Sequence, residues 1–201
     1  MLRAVKSKLI AFAGCFAPRK DRPRRHRVRR FLKRQDGAAA VEFGFVALPF
    51  LALMFAIMET SLVFFAGQSL ESATADSARL IMTGQAQTYD KSKFPTEENA
   101  FKNSVCSRIF ALFNCQAGII IDVRTYSDFA SISSNIPLDS QGNLKTSDFA
   151  YQPSTKAGDI VVVRIMYQWP VYVSLLGLNL ADLSGNKRLL VATAAFRNEP
   201  F

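Results

Sequence analysis

Residues 43–65 read FGFVALPFLALMFAIMETSLVFF, and across these 23 positions the only ionisable side chain is Glu59. At about 1.5 Å per residue, a helix of this length spans about 35 Å, enough for a hydrocarbon core of about 30 Å with some tilt. A buried core helix is the alternative, but such helices are rarely this long or this uniformly apolar. A cleaved secretory signal fits less well, because its apolar region is shorter, roughly 7–15 residues, and ends at a small-x-small site. Here Val63-Phe64-Phe65-Ala66 puts Phe64 where a small residue is needed, and Ala73-Thr74-Ala75 lies too far downstream. The stretch reads as a persistent membrane anchor.

Charge sets its direction. The net charge of +9 is unevenly placed: residues 1–36 carry 13 Lys/Arg against Asp21 and Asp36, whereas residues 37–201 carry 12 Lys/Arg against 14 Asp/Glu. The chain is a near-neutral protein with a basic tail. A basic excess on one side of a span keeps that side in the cytoplasm, so residues 68–201 are expected across the membrane. The Arg-rich run at 18–36 also has the composition of a phosphate-binding tail. Its position just before the span is accounted for by topology and by contact with anionic lipid. His26, the only histidine, lies within this run and reads as a solvated residue. The patch Leu9–Ala13 before Gly14-Cys15 is too short for the core of a lipoprotein signal.

Helical spacing continues past the span through Ala66, Leu70, Ala73, Leu80 and Ile81, and Gly84 marks a stop. A loop is expected over residues 85–95 and a second helix over 96–113. That helix would carry Glu97 and Glu98 in its first turn and an apolar stripe of Phe101, Val105, Ile109 and Leu112. Three β-rich runs follow at 119–126, 160–169 and 189–196. Trp169-Pro170 ends the second strand or puts it at an edge. The polar stretch 127–158 reads as a long loop. The expected class is α+β: a long N-terminal transmembrane helix continuing into a domain with a second helix on a small antiparallel sheet. The expected divisions are a basic leader (1–37), a span (38–67) and an exported domain (68–201).

Little in the sequence carries catalysis. No histidine follows the span, no glycine-rich phosphate loop is present, and the carboxylates are scattered singly. No catalytic residue, metal, cofactor, nucleic acid or small-molecule substrate is expected. Cys106 and Cys115 lie on the side expected to be oxidising and form a natural disulfide pair, with two buried thiols as the other reading. With no third Cys or His beside them, they make a poor metal site.

The segment Gly37-Ala38-Ala39-Ala40-Val41-Glu42-Phe43 precedes the anchor. A carboxylate in the first turns of an apolar span is costly unless something pairs with it. Cleavage after Gly37 would create a cationic amine at Ala38, one turn from Glu42, and in a fibre the Glu42 of one subunit could neutralise the amine of its neighbour. The simpler reading leaves Glu42 at the interface, where a carboxylate near a helix N-terminus is favourable in any case.

The stretch RRFLKRQDGAAAVEFGFVALPFLALMFAIMET, with the downstream ESATADSARLIMTGQAQ, resembles the N-terminal region of TadE-like proteins, minor pilin-like components of the tight-adherence (Flp pilus) machinery. RLLVATAAFRNEPF and the pair Cys106/Cys115 resemble that family too. The resemblance implies a non-enzymatic assembly subunit in the bacterial inner membrane. It also implies processing at Gly37/Ala38, assembly through Glu42, and partners among pilin-like subunits, the assembly platform and a prepilin peptidase. Small residues spaced four apart (Ala40/Gly44 and Ala52/Ala56/Thr60) would let other anchors approach closely. A single-pass envelope protein that never enters a fibre is the alternative.

Overall fold

A computed structural model describes residues 37–109, 113–152, 155–172 and 179–201. The leader expected over 1–37, apart from Gly37, and Leu112 of the second-helix stripe lie outside the described residues. The chain divides into two compact units, residues 1–47 and 48–201.

Helix α1 (Ala38–Met82) runs without interruption through Pro49. Among the described residues it is the one helix long and apolar enough to cross a membrane; its most apolar window has a mean hydropathy of 2.2 and is only 6% buried. That bareness separates it from the core helix of a water-soluble fold. Phe43, Phe45, Val46, Leu48 and Phe50 are exposed. From Ala56 onward one face turns inward: Ala56, Glu59, Val63, Ala66, Leu70, Ala73, Ser77 and Ile81 are buried at spacings of three and four. Buried Thr74 donates its hydroxyl to the Leu70 carbonyl at 2.7 Å, satisfying a polar group that the packed face would otherwise strand. Gly84, at a φ of +75°, ends the helical region as its spacing predicts, because only glycine enters that conformation without a Cβ penalty.

The second helix, α2 (Glu97–Cys106), starts on a Thr96 cap whose side chain accepts the N–H of Asn99 at 3.2 Å. It is shorter than expected. The reason is the link between Cys106 and Cys115, whose Cα atoms are 5.5 Å apart across a sequence separation of 9. In a continuous helix nine residues would separate them by about 13.5 Å along the axis. The chain therefore reverses, and a short helix α3 (Cys115–Gly118) restarts on an Asn114 cap.

Strands β1 (Ile119–Tyr126), β2 (Ile160–Pro170) and β3 (Lys187–Arg197) form an antiparallel sheet in the order β1-β2-β3. Pro170 ends β2 and pairs only with Lys187, because β1 has already stopped opposite Tyr167. One face of the sheet presents Ile119, Ile121, Val123, Val161, Val163, Ile165, Leu190 and Ala192. These pack with Val63, Leu70 and Ile81 of α1 and with Phe101 and Val105 of α2. An α-on-β core of this kind makes the fold α+β, as the sequence predicts.

The stretch 127–158, read from sequence as a plain loop, covers part of the opposite face. Asp122 and Arg164 face each other across β1 and β2 and are both buried. Asp122 accepts Arg124 Nε at 2.7 Å and the Ala150 N–H at 3.0 Å. The guanidiniums of Arg124 and Arg164 donate in turn to the carbonyls of Asp148 and Ser133. Charges that would be expensive alone are thus paired with one another and with the connection itself. Tyr151 also forms a parallel bridge to Val123, so the outer edge of β1 is covered at its middle.

Candidate functional site

Gly37 directly precedes α1. A Cβ built on it would meet nothing within 4 Å, and the same holds at Gly44 and Gly67. No packing among the described residues therefore requires glycine at position 37, and its backbone does not lie in the left-handed region that favours one. Ala38 and Glu42 stand four residues apart in α1, one turn, and both are exposed. The ion pairs of the described residues join Lys93 to Asp90 and both Arg124 and Arg164 to Asp122, so Glu42 takes part in none of them. Among the described residues this end of the helix is exposed, and the Glu42 carboxylate takes part in no ion pair. This end can present a peptide bond to a protease, and the carboxylate can pair with a cation supplied from outside.

The small-residue rows behave differently from each other. Ala40 is exposed and Gly44 half-buried, leaving a shallow surface for another helix. In the second row Ala56 is 6% exposed, and Thr60 donates its hydroxyl to the Ala56 carbonyl at 2.8 Å. That row is taken up within the protein from its middle onward.

Glu59 is 7% exposed, in the helix segment where the inward face begins. Its Oε1 accepts the backbone N–H of Tyr172 at 3.2 Å. Tyr172 lies just past β2, where the chain is held by a reciprocal pair: Val171 N–H donates to the Asn186 carbonyl at 3.0 Å, and Asn186 Nδ2 donates to the Val171 carbonyl at 2.5 Å. The sequence marks Glu59 as the lone charge of residues 43–65. Its partner, 113 residues away, has no sequence signal.

Cys106 and Cys115 are joined in the structure. The link brings the end of α2 and the start of α3 against the sheet, where Phe113 stacks on Tyr167 with ring centroids 4.1 Å apart and meets Trp169 edge-on at 6.2 Å. Among the described residues no group of three or more His, Cys, Asp or Glu is placed to hold a metal ion.

Residues 37–79 match the family model described as TadE-like protein. The match starts at Gly37, covers Ala38, Glu42 and Glu59, and ends within α1, so it does not reach Cys106, Cys115 or residues 188–201. No curated protein and no solved structure matches the chain.

Proposed function

We propose that this chain, whose anchor is TadE-like, is a non-enzymatic pilin-like subunit of a tight-adherence (Flp) pilus apparatus. One observation carries the reading. The family match begins at Gly37, and from there α1 is largely exposed among the described residues and apolar, with Glu42 its one charge, until the packed face begins at Ala56. A helix of that kind has lipid, or other helices in lipid, as its natural surroundings.

In this reading the basic leader, residues 1–37, lies in the cytoplasm and the domain lies across the bacterial inner membrane, in the periplasm. Residues 38–58, a rise of about 30 Å, match one hydrocarbon core. A prepilin peptidase cuts between Gly37 and Ala38, and the Glu42 carboxylate pairs with the amine of a neighbouring subunit. The partners are then other pilin-like subunits, the assembly platform and that peptidase.

The test is genetic and morphological. Deleting the gene in a piliated host should remove or sharply reduce surface pili, and the full chain should restore them. Unchanged pili would overturn the proposal and leave a single-pass envelope protein outside the fibre.

A further inference from the structure

Past Glu59, helix α1 is two-sided. Val63 and Ala66 are buried, whereas Leu62, Phe64 and Phe65 on the other side are 42%, 68% and 61% exposed. An aliphatic and aromatic surface of this kind, continuous with the bare helix before it, is unfavourable in water and favourable at the membrane interface. The headgroup layer, beginning where the hydrocarbon core matched by residues 38–58 ends, therefore takes in residues 62–65 on the open side of the helix. On the covered side, one turn earlier, Glu59 holds the backbone of Tyr172, so the chain leaving β2 sits at the start of that layer. There Tyr172 is 78% exposed, and the neighbouring Trp169 and Val171 are buried. Tyrosine favours the headgroup layer, where its ring meets apolar chains and its hydroxyl meets water.

We infer that the end of β2 is a second membrane contact, with the Tyr172 side chain lying in the headgroup layer of a phospholipid bilayer and Glu59 fixing it at that depth. The inference rests on the anchor reading above. It adds a lipid-facing surface on the domain itself, so that the domain is seated on the bilayer. Glu59 then acts as a positioning residue: its carboxylate fills a hydrogen-bond requirement of the Tyr172 backbone where water is scarce.

The chain has one tryptophan, so Trp169→Phe with Tyr172→Trp moves the only indole to the site. The full chain would be reconstituted in phosphatidylethanolamine/phosphatidylglycerol vesicles, with and without lipids brominated near the headgroup end of the acyl chain. We expect blue-shifted emission, loss of at least half the intensity to brominated lipid, and weak quenching by acrylamide. If the double variant does not fold, single Tyr172→Trp supplies the same readings by difference from the unsubstituted protein. Emission typical of indole in water, from protein that resists carbonate extraction, overturns the inference and leaves the anchor intact. A blue shift without quenching by brominated lipid also overturns it, in favour of a protein partner. Protein released by carbonate overturns the anchor reading and this inference together.

Discussion

The backbone N–H of Glu199 donates to the carbonyl of Met82 at 3.0 Å, closing part of the open hydrogen-bond ladder at the end of α1. The residues after β3 are therefore part of how the helix is held to the sheet. Asn198 is 4% exposed. Its Nδ2 donates to Thr155 Oγ1 at 2.9 Å and to the Lys156 carbonyl at 3.0 Å, and its N–H donates to the Asp159 carbonyl at 2.8 Å. Asn198→Ala removes both side-chain bonds, and Thr155 Oγ1 is left with Gln87 Nε2 as its donor. The substitution should destabilise the domain by about 1–3 kcal/mol in urea denaturation. A change within error would mean that this junction contributes nothing to stability.

The link between Cys106 and Cys115 closes a short loop, and replacing both by serine should destabilise the domain by about 2–3 kcal/mol. Cys106 and Phe113 both pack against the core, so the reduced domain should also lose the fixed stacking of Phe113 on Tyr167. Near-ultraviolet circular dichroism with and without reductant reads this directly. An unchanged aromatic signal on reduction would show that Phe113 is placed by packing alone.

An alkaline limb is expected in the stability profile. Burial, and after it the Glu97 carboxylate, raise the Tyr151 phenol well above its ordinary value of 10.0, and its hydroxyl donates to Glu97 Oε1 at 3.0 Å. A folded value above the unfolded one means that the contribution is complete below pH 10 and is lost as pH rises beyond it. Denaturation midpoints measured from neutral to strongly alkaline pH should fall above pH 10. The fall should be smaller in Tyr151→Phe, which has no proton to lose. Equal falls in both proteins would place the alkaline sensitivity elsewhere.

The long apolar helix and the α+β class were legible because their signals are local. A long apolar run reports a helix able to cross a membrane, and three β-rich runs report strands. What escaped depends on contacts between distant residues. In the sequence, residues 107–113 continue the helical spacing of α2, but Cys106 and Cys115 lie 5.5 Å apart, which a continuous helix does not allow. Asp122, Arg124 and Arg164 alternate with apolar neighbours as solvent-facing residues do. The burial of Asp122 and Arg164 and the partial burial of Arg124 follow from the β1–β2 register and from the connection after β1, whose Ser133, Asp148 and Ala150 bond them. Glu59 could be singled out as the one charge in the apolar run, yet its partner Tyr172 belongs to the other end of the domain.

Gly37 and Glu42 should separate in their effects. Position 37 has room for a side chain, so Gly37→Leu should leave folding and stability unchanged while leaving full-length precursor in the membrane. Glu42→Ala should be processed normally and fail in association, because the new amine loses its partner where an unpaired charge is expensive. Glu42→Asp should be partly defective, the charge being kept at shorter reach. Immunoblots for size and cross-linking for association read the two steps separately. Loss of both steps in both variants would contradict the division of roles.

The most direct measurement is the intact mass of the protein purified from membranes of cells with an active prepilin peptidase. The expected mature chain begins at Ala38, with residues 1–37 removed and the whole of α1 retained. A mature chain beginning at Met1 would contradict the processing on which the amine–Glu42 pairing depends.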